Sequence, residues 1–151
     1  MSDPTLKERL AGEVREALRG GDRVRLGALR LLSASITNRE KELRHELSDD
    51  EVREVAAKEI KRRGESIEAF EGAGRSELAD RERAEREAIA DYAPEMLSET
   101  AVDGLIDEAL AATGASEPND LGRVMGYVMG KARGRVDGGV VQVRVRSRLG
   151  G

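Results

Sequence analysis

Apolar residues recur every three or four positions along most of this chain, the spacing that places them on one face of an α-helix. The first such stripe consists of Leu6, Leu10, Val14 and Leu18. Ser2 or Asp3 can cap this helix, because either side chain can accept a hydrogen bond from a free N–H group of the first turn. Gly20 and Gly21 end it, since glycine readily adopts the left-handed conformation found after helices.

Two further helix starts are visible in the polar residues between stripes. Asp22 caps the second helix directly after the glycine pair. The third helix has the strongest signal, because Ser48 and Glu51 have the spacing of a capping box. Leu47 and Val52 lie where a hydrophobic staple packs the incoming chain against the first turns. The sequence therefore predicts helices that begin directly after Asp22 and Ser48.

Glycine and proline mark the next boundaries. The glycine turn at residues 72–76 ends the third helix, and a fourth helix is predicted from about Ser76 to Tyr92. Pro94 disfavours a helical conformation in the residue before it. We therefore place a domain boundary at this proline.

Two helical stripes follow the boundary. Ser98 caps a fifth helix, and Gly114 ends it. Asn119 or Asp120 caps a sixth helix, for which Gly134 is the natural stop. The last apolar segment, VVQVRVRSRL, is ambiguous.

The local pattern of this last segment permits two structures. Val141, Val143 and Val145 alternate with other residues as in a strand. Val141, Val145 and Leu149 also form a helical stripe. We predict a helix, because a lone terminal strand would find no partner in an otherwise helical chain.

The predicted fold is all-α. An N-terminal bundle of about four helices covers residues 1–94, and a small three-helix domain with a basic tail covers residues 95–151. The 151 residues suffice for one medium domain and one small domain. Only three residues are aromatic, so aliphatic side chains must fill the cores.

Composition limits the chemistry. The chain has no cysteine, which excludes disulfides, thiolate nucleophiles and cysteine-based metal sites. The single histidine, His45, lies in a charged run without a serine partner. Asp49, Asp50 and Glu51 are acidic enough for a metal, but capping and the helix dipole explain them better. No nucleotide-binding glycine motif is present, and we expect no catalytic residue, no metal and no cofactor.

The same features indicate a compartment. The absence of cysteine fits a reducing cytoplasm. The first ten residues, MSDPTLKERL, lack the apolar run of a signal peptide. No stretch approaches the roughly 20 apolar residues of a membrane span. We expect a cytoplasmic protein that does not cross a membrane.

Charge is unevenly distributed along the chain, whose net charge is −4. Residues 121–151 contain seven basic residues and one acid, a net charge of +6, whereas residues 1–120 carry −10. An acidic protein with a basic, glycine-punctuated tail is expected to bind an anionic partner.

The centre of the tail suits phosphate. Lys131, Arg133 and Arg135 surround Gly134, and Gly138 follows at the start of the last helix. Glycines let a ligand approach the backbone, and the positive end of the helix dipole adds to the basic side chains. The alternative is an ordinary joint between helices whose arginines lie in water.

A second basic cluster lies on the third helix. Lys58, Lys61 and Arg62 share a helix face. Acids at positions 59, 65 and 68 dilute this cluster, so a solvated helix surface is the alternative interpretation.

Three segments together carry a family resemblance. They are LGALRLLSASITNRE, KEIKRRGESIEAFEGAGRSELADRERAEREAIADYAPEMLSE and GRVMGYVMGKARGRVDGGVV. The chain resembles the GatB/YqeY family, in particular its small stand-alone YqeY-like branch, over nearly the whole length. The resemblance implies an all-helical fold in two parts.

The resemblance also implies a partner. In larger relatives this module is the tail of the B subunit of the tRNA-dependent amidotransferase, and it contacts tRNA. We therefore predict tRNA or another structured RNA as the partner. The candidate RNA-binding residues are Arg123, Lys131, Arg133, Gly134, Arg135, Gly138, Lys58, Lys61 and Arg62.

Two other functions stay open. The chain could be a protein-interaction adaptor, in which Met125, Tyr127 and Met129 form part of an apolar patch unless they pack in the core. It could instead be an accessory component of a carbon–nitrogen ligase that uses glutamine as amido donor and acts on charged tRNA. The residues show no glutaminase nucleophile, so that activity would need partner subunits.

Overall fold

The computed structural model describes residues 3–150, and every regular element in that range is helical, which confirms the predicted all-α fold. The α-helices are α1 (Leu6–Gly20), α2 (Arg23–Leu43), α3 (Asp49–Gly72), α4 (Ser76–Ile89), α5 (Glu99–Thr113), α6 (Leu121–Ala132) and α7 (Gly138–Arg148). Short 3₁₀ turns cover Ala90–Tyr92 and Pro118–Asp120. The chain divides between Pro94 and Glu95 into two compact units, the N-terminal unit and the C-terminal unit. None of the described helices combines the length and apolar character needed to cross a membrane.

Several predicted caps are confirmed. The Ser48 hydroxyl accepts a hydrogen bond from the Glu51 N–H at 3.3 Å, and the Glu51 carboxylate accepts one from the Ser48 N–H at 3.1 Å. Asp22 and Ser98 cap α2 and α5 in the same way, each accepting from the N–H three residues on. Because these bonds are local, sequence spacing alone was sufficient to predict them.

The start and the stripe of α1 differ from the prediction. Thr5, and not Asp3, caps the helix by accepting from the Glu8 N–H at 3.1 Å, while Ser2 lies outside the described residues. The side chain of Leu18 is 57% exposed, and Ala17 is buried instead. Four residues turn an α-helix by about 400°, so each step of four rotates the stripe by about 40°. Three such steps carry Leu18 away from the core.

The N-terminal unit closes around an aliphatic core. Leu47 and Val52 are both buried in it, as the staple at the start of α3 requires. The α-helical part of α4 ends at Ile89, three residues before the predicted end, and the chain continues as a 3₁₀ turn. This turn buries Tyr92 completely, and its hydroxyl donates a hydrogen bond to Glu13 Oε2 at 2.7 Å.

The described part of the C-terminal unit contains three α-helices, and its last segment is the predicted helix α7. Val141, Val145 and Leu149 are buried against residues of α5 and α6. Val143 is 68% exposed, although a strand would have placed it on the same side as Val141 and Val145. Packing against two other helices therefore resolves the local ambiguity in favour of the helical period.

Candidate nucleic-acid interface

The α6–α7 turn, residues 131–138, contains most of the predicted phosphate-binding residues. α6 ends at Ala132, and its C-cap is Arg133 with φ 46°, so the predicted stop at Gly134 is wrong by one residue. Gly134 follows with φ 82°. Two successive left-handed residues reverse the chain tightly, and the second is glycine because it has no Cβ to clash there.

The turn is anchored to the segment that follows Pro94. The Arg135 carbonyl accepts a hydrogen bond from the Leu97 N–H at 2.8 Å. The Arg135 Nε donates to the Glu95 carbonyl, also at 2.8 Å. These bonds fix the backbone of the turn while the Arg135 side chain stays exposed.

Lys131 and Arg133 complete the cationic surface of the turn. Both side chains are exposed. The Lys131 Nζ lies 5.6 Å from the centre of the Tyr127 ring, within the range of a cation–π contact. The turn therefore presents three cations within five residues on an ordered backbone.

The start of α7 is less open to an anion than the sequence suggests. Asp137 caps the helix, and its carboxylate accepts a hydrogen bond from the Gly139 N–H at 2.9 Å. A phosphate at this position would have to compete with that carboxylate. A Cβ built on Gly138 would lie 3.5 Å from Met129 Cε, so Gly138 packs against α6.

Arg123 lies apart from the turn. It is eight residues before Lys131, or about 12 Å along α6. Its guanidinium donates to Asp120 Oδ1 at 2.5 Å and to the Thr113 carbonyl at 3.2 Å. This arginine, followed by the N–H groups of Ser116 and Glu117, lowers the pKa of Asp120 to about 2.

Asp120 occupies the predicted N-cap position of α6, but its side chain accepts no capping hydrogen bond from the helix. Its carboxylate instead accepts from the Ser116 and Glu117 N–H groups at 3.0 and 3.1 Å. Arg123 and Asp120 thus stabilise the loop between α5 and α6, and the structure does not bring Arg123 to the turn.

Two arginines of the tail form ion pairs with carboxylates on another helix, and the sequence alone did not predict these pairs. Arg144 on α7 donates to Asp103 on α5 at 2.7 Å and lies 3.4 Å from Glu99. Arg148, one turn later, pairs with Asp107. Both helices carry their charges four residues apart, so the pairs form a ladder, which we call the α5–α7 ladder. The spacing within each helix was visible in the sequence, but the pairing across 41 residues was not.

The acids that form these pairs belong to a segment whose negative charge offsets the positive charge of the basic tail. Residues 95–120 contain seven acids and no base, which offsets the +6 of residues 121–151. The C-terminal unit therefore has a net charge of −1. Its cationic character is confined to local surfaces, of which the α6–α7 turn is the densest.

The candidates on α3 lie beside carboxylates. Lys58, Lys61 and Arg62 are exposed. Arg62 Nη1 lies 3.4 Å from Glu59 Oε1, and Glu59 is buried. Lys58 and Arg62 line a cleft of about 350 Å³, whose lining carboxylates are Glu42, Glu51, Glu54 and Glu59. A phosphate backbone would meet four acids there and three bases, the third base being Arg39.

The remaining candidates have structural surroundings. His45 is exposed, and its Nδ1 lies 2.8 Å from the Glu46 carbonyl oxygen. Met125, Tyr127 and Met129 are half-buried and pack against the core of the C-terminal unit. Among residues 3–150, no three metal-binding side chains come together.

The helices and the turn define an all-helical protein with two compact units and a cationic turn in the second. The sequence matches the family described as "Yqey-like protein" over residues 7–149, and the chain belongs to this family. The YqeY-like part of the predicted resemblance is thereby confirmed, whereas the likeness to the amidotransferase tail stays a prediction.

A fungal protein is also similar to this chain. It is "Altered inheritance of mitochondria protein 41, mitochondrial" from Pyrenophora tritici-repentis (strain Pt-1C-BFP). The two are 29% identical over 145 residues, which cover 94% of this chain and 80% of the relative. Because that relative is described as mitochondrial, the cytoplasmic location of this chain stays a prediction.

Proposed function

We propose that the chain binds structured RNA, with tRNA as the expected partner, through the α6–α7 turn, and that it performs no reaction of its own. The observation that supports this function is the arrangement of Lys131, Arg133 and Arg135 as exposed cations on an anchored turn. Cations held on a fixed backbone can match the spacing of phosphates without ordering a flexible loop on binding.

The contacts also indicate how RNA would be recognised. Tyr127 is half-buried below Lys131 and is not available as a stacking platform. Recognition of single-stranded RNA commonly uses exposed aromatic rings, whereas folded RNA is read through its shape and phosphates. The turn therefore suits a folded RNA such as tRNA.

The test compares two double variants that remove the same charge. K131Q/R133Q removes two cations of the turn, and the matched control R144Q/R148Q removes the two cations of the α5–α7 ladder. The slope of log affinity against log salt is negative, and each lost phosphate contact reduces its magnitude by about 0.9. We expect K131Q/R133Q to lower the tRNA affinity about tenfold at low salt and the control to change it little. Equal effects of the two variants would refute the assignment.

A protein-interaction adaptor is the second candidate. Val140 and Val143 are 53% and 68% exposed, and their spacing of three places them on the same face of α7. Two exposed valines on one helix face can form part of an apolar contact with a partner protein. Nuclease-resistant co-purification of one protein with the wild type, lost in V140D/V143D, would favour this function.

The predicted role as an accessory to amide transfer rests on the family resemblance. It would require other subunits that carry the glutaminase and the nucleotide chemistry. Stimulation of such an enzyme by this chain, abolished by K131Q/R133Q, is the result expected if RNA delivery is its contribution.

A further inference from the structure

We propose that the outward face of α2 is a separate binding surface for the backbone of double-helical RNA. Six exposed residues spaced three or four apart form this surface, which we call the α2 row. They are Arg23, Gly27, Arg30, Ala34, Thr37 and Lys41. The opposite face of α2 is buried in the core of the N-terminal unit through Ala28, Leu29, Leu32 and Ile36.

The row contains cations and small side chains but no carboxylate. The acids of α2 are Glu40 and Glu42, and both are engaged elsewhere. Glu40 Oε2 accepts from Lys7 Nζ at 2.6 Å, and Glu42 Oε2 accepts from Arg39 at 2.9 Å. None of the carboxylates of α2 therefore lies on the row itself.

These cations differ from most others in the N-terminal unit. Within the part of the chain that the structure describes, the side chains of Arg23, Arg30 and Lys41 have no hydrogen-bond or ion-pair partner. By comparison, Arg53 pairs with Asp50 at 2.9 Å and Arg81 with Glu85 at 3.1 Å. Among the described residues, Arg15, Arg19, Lys58 and Arg86 also lack such a pair. The α2 row is distinguished because three unpaired cations lie on one helix face.

The geometry of the row suits a long, regular anion. At 1.5 Å per residue, Arg23 and Arg30 are about 11 Å apart along the helix axis, and Arg30 and Lys41 about 17 Å. A polyanion that runs along the helix can contact all three cations. A single small anion can reach only one of them.

The residues between the cations favour nucleic acid over a membrane or a protein. The row has no large apolar side chain to insert into a bilayer or to form the buried centre of a protein interface. Leu31 is 55% exposed, but it lies beside the row and not on it. Phosphate is the ligand that matches this composition.

The absence of aromatic rings from the row favours a double helix over a single strand, whose bases would need a stacking surface. RNA is favoured over DNA because its wide, shallow minor groove displays 2′-hydroxyls that a helix with small side chains can approach closely. Because Gly27 has no side chain and that of Ala34 is short, the RNA can lie close to the helix backbone. The Thr37 hydroxyl can donate a hydrogen bond to a 2′-hydroxyl or accept one from it.

The test uses the full chain and an RNA duplex of mixed sequence and about 20 base pairs. R23Q/R30Q/K41Q removes the cations of the row, and R53Q/R81Q/R83Q removes the same charge from cations that are already paired. We expect the row variant to lose at least about tenfold in affinity at low salt, and the control to lose less than about twofold. Equal losses in the two variants, or none, would overturn the proposal.

A second variant tests whether the RNA approaches α2 closely, and it leaves the charge of the row unchanged. G27Q/A34Q places two longer side chains on an exposed surface, where a Cβ on Gly27 meets nothing within 4 Å. We expect its helical circular dichroism to match the wild type and its affinity for the duplex to fall several-fold. Unchanged affinity, or equally tight binding of a DNA duplex of the same sequence, would contradict the assignment to RNA double helix.

The proposal is independent of the α6–α7 turn, and the variants distinguish the two. If K131Q/R133Q binds the duplex like the wild type while the row variant does not, the α2 row stands and the turn assignment fails for this ligand. If only the turn variant loses affinity, the α2 row is ordinary surface.

Discussion

At the residue scale, backbone conformation explains why two neighbouring positions of the α6–α7 turn are not equivalent. Arg133 adopts φ 46° and Gly134 adopts φ 82°. A residue with a side chain pays about 1–2 kcal/mol in the left-handed region. The sequence indicated a turn here, because it shows glycine beside basic residues. It could not show that the arginine itself ends the helix, since that depends on where α7 packs.

We predict that G134A lowers the free energy of unfolding by about 1–2 kcal/mol, because Ala acquires the left-handed penalty at this position. The control is G126A on α6, where a Cβ meets nothing within 4 Å. In the middle of a helix, Gly to Ala is expected to stabilise by about 0.5–1 kcal/mol. Urea unfolding of both variants checks this, and equal effects of the two would contradict the role of Gly134.

Tyr92 is the second residue whose surroundings determine a measurable property. Burial, and then the hydrogen bond to Glu13, raises the pKa of its phenol above the ordinary value. An unfolded tyrosine ionises near pH 10, whereas the folded one keeps its proton to higher pH. The protonated phenol therefore contributes its full share to the free energy of unfolding below about pH 10. That contribution is lost as the pH rises from about 10 toward the pKa of the folded protein.

We predict that Y92F costs about 1.5–3 kcal/mol near neutral pH, because it removes a buried hydrogen bond to a carboxylate. Above about pH 10 the difference between the wild type and Y92F should shrink, since only the wild type loses this contribution. Unfolding free energies measured from pH 7 to 11 check both statements. A difference that stays constant over that range would contradict the phenol's role.

At the element scale, local signals were predictable and cross-chain pairings were not. The capping box of Ser48 and Glu51 could be predicted because its two members are three residues apart. The helix α7 could be predicted because a lone strand would lack partners. The α5–α7 ladder joins residues 41 apart, so the pattern of either helix alone could not reveal it.

We predict that Arg144 and Asp103 show a small, favourable coupling energy in a double-mutant cycle of R144Q and D103N. Both side chains are partly exposed, so solvent and salt should screen the pair. Thermal unfolding at low and high salt checks this, with the coupling expected to vanish at high salt. A coupling that persists unchanged at high salt would contradict a solvent-screened pair.

At the scale of the whole molecule, net charge is a poor guide to the partner. Residues 1–94 carry −3 and residues 95–151 carry −1. In the sequence the basic tail is one cationic segment. In the structure, Arg144 and Arg148 pair with acids in the α5–α7 ladder, whereas Arg133 and Arg135 lie exposed on the α6–α7 turn. Anion binding would therefore depend on local cationic surfaces of an acidic protein.

RNA recognition by the α6–α7 turn is tested most directly by the affinity of the full chain for tRNA across a salt titration, with duplex DNA and a heparin-like polyanion as competitors. We expect tRNA to be preferred to both, with a salt slope steeper than about −2 that becomes shallower by about two in K131Q/R133Q. Absence of tRNA binding, or equal binding of all three polyanions, would refute recognition of folded RNA by the α6–α7 turn.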